Sequence, residues 1–359
     1  MTEAEIHSDI SAFLLVFSSL FFMLKTRRII MEFSEKTARL IDGLYHKRSH
    51  VELTVGILKN GGTEIVHFNP EHKEDGNTGM IYAAGSICKT FTCSLFAKMI
   101  TEGKLNPDAP LSDYIEGLPQ GYYPSLRRLA THTSGYGGLP FTTLQSIPMF
   151  MKMNEENGLL HVNPFRGYPD EEGMMKIIRE TKLKNKIYPF EYSNIGMSIL
   201  GYIIGKTDGR GFWDAMNSYV KDELHLPDTF LGNIDMTGYD KKDQPCECWK
   251  WEKDDIIAPA GAMNSTAEDL LKFAQMNLDG SLPYVYLCHQ FNAPLDKNND
   301  TGLGWRLYKK QPVSWHTGSA GAFSCWLGFD RMKKTAVTVE INYGLVNAEE
   351  IGFSIIENL

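Results

Sequence analysis

Ser86 and Lys89 stand three positions apart in AAGSICKTFTCSLF, residues 83–96, at the head of an otherwise apolar stretch. On a helix, residues three or four apart share a face. Counted from Lys89, that face carries Ser86, Cys93, Phe96 and Ile100, whereas Lys98 falls on the opposite side. An amine on such a face is expected to be buried. Burial disfavours the ammonium, so Lys89 must be paired or give up its proton more readily than a free lysine, and a hydroxyl one turn away is what it could activate. Ser86 follows Gly85 at the expected helix start, where free backbone N–H groups and the positive end of the helix dipole favour a developing anion. One turn would then hold a nucleophile, its base and half of an oxyanion hole. The same pair has a plainer reading, with Ser86 capping the helix and Lys89 extending its amine to water.

Two further stretches bear on that choice. EYSNIG supplies Tyr192, Ser193 and Asn194, and SWHTGSAG supplies His316, Thr317 and Gly318. In this chain order the three elements resemble the serine β-lactamase and penicillin-binding-protein superfamily, in particular class C β-lactamases and the related D,D-peptidases and esterases. LRRLATHTSGY at 126–136, APAGAMNSTAEDLLKF at 258–273 and GLGWRL at 302–307 are similar to the same family. The resemblance runs from about residue 35 to the C-terminus.

The resemblance implies a β-lactamase/transpeptidase-like fold of the α/β (α+β) class: an antiparallel sheet flanked by helices plus a mostly helical insertion domain. It also implies acyl transfer without metal or cofactor. Ser86 would attack a carbonyl, Lys89 and Tyr192 would handle its proton, and the backbone N–H groups of Ser86 and Ser319 would hold the oxyanion. Tyrosine ordinarily titrates near ~10, so Tyr192 serves as a base only where cations such as Lys89 stabilise its phenolate; otherwise it relays a proton. Asn194 could hold Lys89 with its amide oxygen and a substrate amide with its nitrogen. Thr317 and Gly318 would let an extended acyl donor pair with a strand edge, which a side chain at Gly318 would obstruct.

His316 is the main departure, since most β-lactamases of this class carry lysine there. A histidine offers an uncharged donor or a titratable cation in place of a permanent charge. The acyl donor implied is a small molecule or a peptide: a β-lactam, a D-amino-acid peptide or a small ester. A generic esterase or peptidase ranks above a true β-lactamase, and a catalytically weak penicillin-binding or sensor domain is the alternative from another class. Ser193 and His132 read as structural, the latter tying a loop beneath the site, and Trp305 and Trp326 as packing residues.

The elements that must position these groups are legible at both ends. Residues 32–47 have loosely helical apolar spacing, and VELTVGILKNGGTEIVHF alternates around Asn60-Gly61-Gly62, the chemistry of a hairpin turn. GWRLYK, AFSCWLGFD and KTAVTVEINY read as strands and AEEIGFSIIENL as a closing helix, so the ends are expected to share one antiparallel sheet. The sheet part is set at about 31–85 and 300–359, the helical part at about 86–299, with a capping box over Ser265–Glu268 inside it.

Residues 1–30 are set apart from the catalytic domain at 31–359. ISAFLLVFSSLFFML at 10–24 is shorter than the ~20 residues that span a bilayer comfortably. Acidic residues precede it and Lys25, Arg27 and Arg28 follow, the reverse of a secretory signal. Either it anchors the chain to a membrane, or the folded protein begins near Met31. The flanking charges and the six cysteines favour the cytoplasm, with a membrane-anchored or extracytoplasmic placement as the alternative. A net charge of −8 without a basic cluster argues against nucleic acid. Cys246-Glu247-Cys248 lacks a second ligand pair for zinc, and GYIIGKT at 201–207 has three residues where a phosphate loop needs four.

Overall fold

Asn60 and Gly61 both take positive φ, 54° and 76°, the backbone of a two-residue type I′ turn that matches the twist of the strands it joins. The turn closes β1 (Leu53–Lys59) on β2 (Gly62–Phe68). The structure, a computed structural model, describes residues 33–137, 158–167 and 169–359, so the apolar segment at 10–24 and the whole 1–30 extension lie outside the described residues. Among the described residues no helix is long and apolar enough to cross a membrane.

The middle of the chain contributes short strands: β3 (Tyr82–Gly85), β4 (Phe230–Leu231), β5 (Gly238–Tyr239), β6 (Pro245–Cys246) and β7 (Met263–Ser265). The C-terminal part adds β8 (Ala293–Pro294), β9 (Asn299–Thr301), β10 (Arg306–Tyr308), β11 (Val313–Ser319), β12 (Ser324–Asp330) and β13 (Thr335–Ile341). The main sheet runs β2-β1-β13-β12-β11-β10-β9-β8, every described pair antiparallel, with β1 on β13 joining the two ends of the chain. β3, β7 and β4 form a second, three-stranded sheet.

Strand alternation divides the main sheet into two faces. Trp315 and Trp326 point to one side, where Phe353 of the helix Ala348–Ile356 meets them at ring-centroid distances of 5.1 and 5.2 Å. The N-terminal helix Glu35–Tyr45 packs beside that closing helix. The other face meets the helix Ala267–Asp279, where Leu271 is wholly buried and contributes about 1.5–3 kcal/mol.

That helix starts one residue later than the capping pattern predicts. Thr266 is the cap, its Oγ1 accepting the Asp269 N–H at 3.3 Å, while Ser265 belongs to β7 and its hydroxyl bonds Thr229 Oγ1 at 2.8 Å. Ser-Thr followed by Glu-Asp satisfies the pattern in two registers, and pairing of Ser265 with Tyr82 across β3 and β7 selects the later one.

The helix Cys88–Thr101 runs through the interior, with every residue from Cys88 to Ala97 buried. It packs on the helix Asn194–Asp208, the short helix Ala258–Gly261 and the 3-10 segment Pro283–His289. All six cysteines are buried and free.

Candidate active site

Gly85 ends β3 with φ +53°, and Ser86 and Ile87 form the turn that enters the Cys88–Thr101 helix. Ile87, not Ser86, is the helix cap, so the Ser86 hydroxyl is not spent on the helix start. Lys89 has no solvent exposure, against the plainer reading of an amine in water. Its Nζ donates to Ser86 Oγ at 3.0 Å and to the Ala260 carbonyl at 2.7 Å, and lies 4.7 Å from the centre of the Tyr192 ring. Among the described residues no carboxylate pairs with it. One carbonyl, one hydroxyl and one aromatic face thus surround a buried amine within hydrogen-bond distance of Ser86.

Asn194 is the first residue of the helix Asn194–Asp208, capped by Ser193 through a Gly196 N–H bond of 2.9 Å. The expectation that the Asn194 amide holds Lys89 is corrected. No hydrogen bond joins them, and the Ala260 carbonyl takes that place. Tyr192 precedes the cap and is held from both sides by His132. The His132 carbonyl accepts the Glu191 N–H at 2.9 Å, its Nδ1 accepts the Ser193 N–H at 3.1 Å, and its ring lies 4.7 Å from that of Tyr192. An accepting Nδ1 leaves the proton on Nε2. Burial first, then the charges of Lys89 and Arg306, lowers the His132 pKa to about 3, so this ring stays neutral. His132 thus ties the loop beneath the site by positioning Tyr192, though the Tyr192 hydroxyl itself bonds neither Ser86 nor Lys89.

β11 carries the third group of residues. β10 pairs with β11 only at Ser314 and Trp315, so His316–Ser319 pair with β12 on one side alone and keep an edge that an extended chain could join. Gly318 is required for a reason other than the one the sequence suggests. A Cβ there would meet the Ala84 carbonyl oxygen at 2.0 Å, inward against β3 rather than out toward a ligand. A Cβ on Gly85 would likewise fall 2.6–2.8 Å from the peptide atoms of Ser319. These two glycines let β3 and β11 touch backbone to backbone, which brings the peptides around Ser86 and Ser319 together.

His316 is buried, and its Nδ1 donates to the Thr317 carbonyl at 2.6 Å. Burial first, then the charges of Arg306 and Lys89, holds its pKa well below the ordinary imidazole value. His316 is therefore neither the titratable cation nor a free donor: its one N–H is used, and Nε2 presents a lone pair.

Against this geometry the Beta-lactamase family profile matches residues 37–350. The chain belongs to the beta-lactamase family. A beta-lactamase of Pseudomonas fluorescens is 21% identical over 87% of this chain and 94% of its own length. Other bacterial relatives match over only about half of their length, 55% for a beta-lactamase of Providencia stuartii. Among solved structures, a class C beta-lactamase from Rhodobacter sphaeroides superposes with TM-score 0.71 at 19% identity, covering 90% of this chain and 99% of that one. A beta-lactamase/D-alanine carboxypeptidase from Pseudomonas syringae gives TM-score 0.71 at 17% identity, covering 90% and 98%. These likenesses establish the β-lactamase fold.

One residue of this family member escapes the sequence reading although it sits in GLGWRL. Arg306 of β10 lies opposite Trp315, its guanidinium 4.8 Å from that ring. It borders a hollow shared with His132, Phe190, Tyr192 and His316, and among the described residues it makes no ion pair. The available signal was a basic residue on a short strand beside the one bearing His316. A larger cavity, of about 520 Å³, is lined by Ala258 and Pro259 but by none of Ser86, Lys89, Tyr192 or His316. Chemistry rather than volume locates this site. Among the described residues no cluster of histidine, cysteine or carboxylate side chains could hold a metal ion.

Proposed function

We propose that this chain is an acyl-transfer hydrolase that forms an acyl-enzyme on Ser86. The Ser86 oxygen attacks an amide or ester carbonyl while its proton passes to Lys89 along the 3.0 Å hydrogen bond. The backbone N–H groups of Ser86 and Ser319 receive the developing oxyanion, Tyr192 relays the proton to the leaving group, and water then discharges the acyl group. Asn194 and the open edge at Thr317 and Gly318 hold the donor. The observation that carries this reading is the unexposed Lys89 amine bonded to the Ser86 hydroxyl.

Substrate preference follows from charge. A neutral His316 whose only N–H is taken cannot clamp a carboxylate as a lysine would, so the permanent cation near the site is Arg306. This ranks a peptidase or esterase acting on small or D-amino-acid acyl donors above an efficient β-lactamase. The second reading is a domain that captures acyl donors without turnover. It is favoured by one observation, the absence of any hydrogen bond from the Tyr192 hydroxyl to Ser86 or Lys89.

Intact-mass measurement after incubation with a fluorescent penicillin and with an activated ester tests both readings. Turnover of either compound, abolished in Ser86→Ala, supports the hydrolase. A stable adduct on Ser86 with no released product supports capture. No adduct and no turnover would refute both.

A further inference from the structure

The 520 Å³ cavity lies against the C-terminal half of the helix Asn194–Asp208, the loop that follows it and residues 253–259. Small-molecule sites usually occupy about 300–1,000 Å³. Its apolar lining comprises Gly205, Phe212, Trp213, Ile256, Ala258 and Pro259. Its rim is charged, and most of those charges have partners. Arg210 pairs with Asp208 at 2.6 Å, Lys253 with Asp214 at 2.8 Å, and Glu171 accepts the Tyr202 hydroxyl at 2.7 Å. Asp170 accepts the Gly173 N–H at 2.8 Å, and Asp255 accepts backbone N–H groups of Gly167 and Glu252 at 2.7 and 2.8 Å. Two rim charges of opposite sign are left. Among the described residues Lys206, poised 5.3 Å over the Tyr202 ring, and Asp254 make neither an ion pair nor a side-chain hydrogen bond.

We propose that this cavity is a second ligand site, for a small zwitterion with an aromatic or other apolar side chain, an amino acid or a short peptide, and that its occupancy is felt at Lys89. The apolar, partly aromatic lining takes the side chain; Lys206 takes the carboxylate and Asp254 the ammonium. An exclusively anionic or cationic ligand would leave one of the two rim charges facing its own sign.

Two physical links join the cavity to the acyl-transfer groups. The Ala258–Pro259 wall continues into Ala260, whose carbonyl receives the Lys89 amine at 2.7 Å. The same wall is fastened to the Ser86 helix at two more points, Thr92 Oγ1 donating to the Pro259 carbonyl at 2.8 Å and the Cys88 thiol to the Ala258 carbonyl at 3.5 Å. The second link is the helix Asn194–Asp208, which carries Asn194 at one end and Gly205 and Lys206 at the other. Its packing on the wall is tight, since a Cβ on Gly201 would fall 2.2 Å from Pro259. A ligand that braces wall and helix together changes the freedom of the carbonyl that holds Lys89.

Calorimetric titration of the full chain, and of its Ser86→Ala form, with phenylalanine, 3-phenylpropanoate and phenethylamine tests the site. Phenylalanine is expected to bind, each single-charge analogue about fivefold more weakly, and Lys206→Ala and Asp254→Asn are each expected to lose a similar factor. No binding, equal affinity for the three compounds, or binding indifferent to both substitutions would overturn the zwitterion site. Saturating phenylalanine is expected to change the rate of Ser86 acylation by an activated ester at least about twofold in the unmodified chain. An unchanged rate with phenylalanine bound would overturn the link to Lys89. Because binding is also read on the Ser86→Ala form, failure of the acyl-transfer proposal would leave this result interpretable.

Discussion

Burial favours the neutral form of three histidines and one carboxyl, and these four groups contribute to the protons taken up on unfolding. Burial lowers the pKa of His132 and of His289 to about 3 and holds that of His316 well below its ordinary value. Each therefore stabilises the fold above about pH 6.5, the unfolded value, and loses that contribution as pH falls below it toward the folded value. Glu340 acts in the opposite sense. It is wholly buried in β13, neither carboxyl oxygen has a hydrogen-bond partner, and burial raises its pKa well above the ordinary carboxylate value. Its contribution is present below about pH 4.3 and lost as pH rises. At pH 5.5 each unfolded histidine binds about 0.9 proton and the unfolded Glu340 carboxylate releases about 0.9, giving a net uptake of about two protons from these four groups. That slope is about 2.5 kcal/mol of stability per pH unit. Calorimetric unfolding at pH 5.5 in buffers of different ionisation enthalpy counts the protons directly. His289→Gln, remote from Ser86, is expected to lower the count by about one, and Glu340→Gln to raise it by about one. The reading rests on a difference in slope, so a uniform loss of stability in either variant does not disturb it. A count unchanged by both substitutions would refute the assignment of these groups as neutral in the folded chain.

Gly318→Ala is expected to cost about 1–3 kcal/mol in urea unfolding, because its methyl must displace the Ala84 carbonyl. It is also expected to slow Ser86 acylation more than tenfold, since the contact it breaks aligns the Ser319 and Ser86 peptides. His132→Ala leaves the Ser193 N–H without its acceptor and is expected to lower kcat while sparing KM; His132→Asn, which keeps an acceptor, is expected to recover part of the loss. Arg306→Ala is expected to raise KM for a carboxylate-bearing ester about tenfold and leave a neutral ester unaffected, which parallel assays of the two esters would check.

Much of this arrangement was legible because it is written in side-chain periodicity. The Asn60-Gly61 turn, the alternating strands at both ends and the face joining Ser86 to Lys89 are local patterns, and each leads to an element found in the fold. What escaped depends on backbone atoms and on distant packing. A carbonyl has no signature in the sequence, so nothing in APAGAM marks Ala260 as the acceptor for Lys89 in place of the Asn194 amide. β8 and β9, two and three residues long, are too short to show a period, and β8 falls in the stretch read as helical.

Gly318 and His316 show the same division within one strand. The sequence marks both positions, yet their consequences come from what lies behind the strand rather than along it. β3 crosses so close that residue 318 cannot bear a side chain, and burial beside Arg306 and Lys89 keeps residue 316 uncharged. Closing β3 onto β11 brings Ser86 beside the open edge of the sheet, and on the same strand burial keeps His316 from offering an acyl donor a charge. Under the proposed acyl-transfer reading, the cation left to meet an anionic donor is Arg306, which sits one strand over and borders the same hollow as His316.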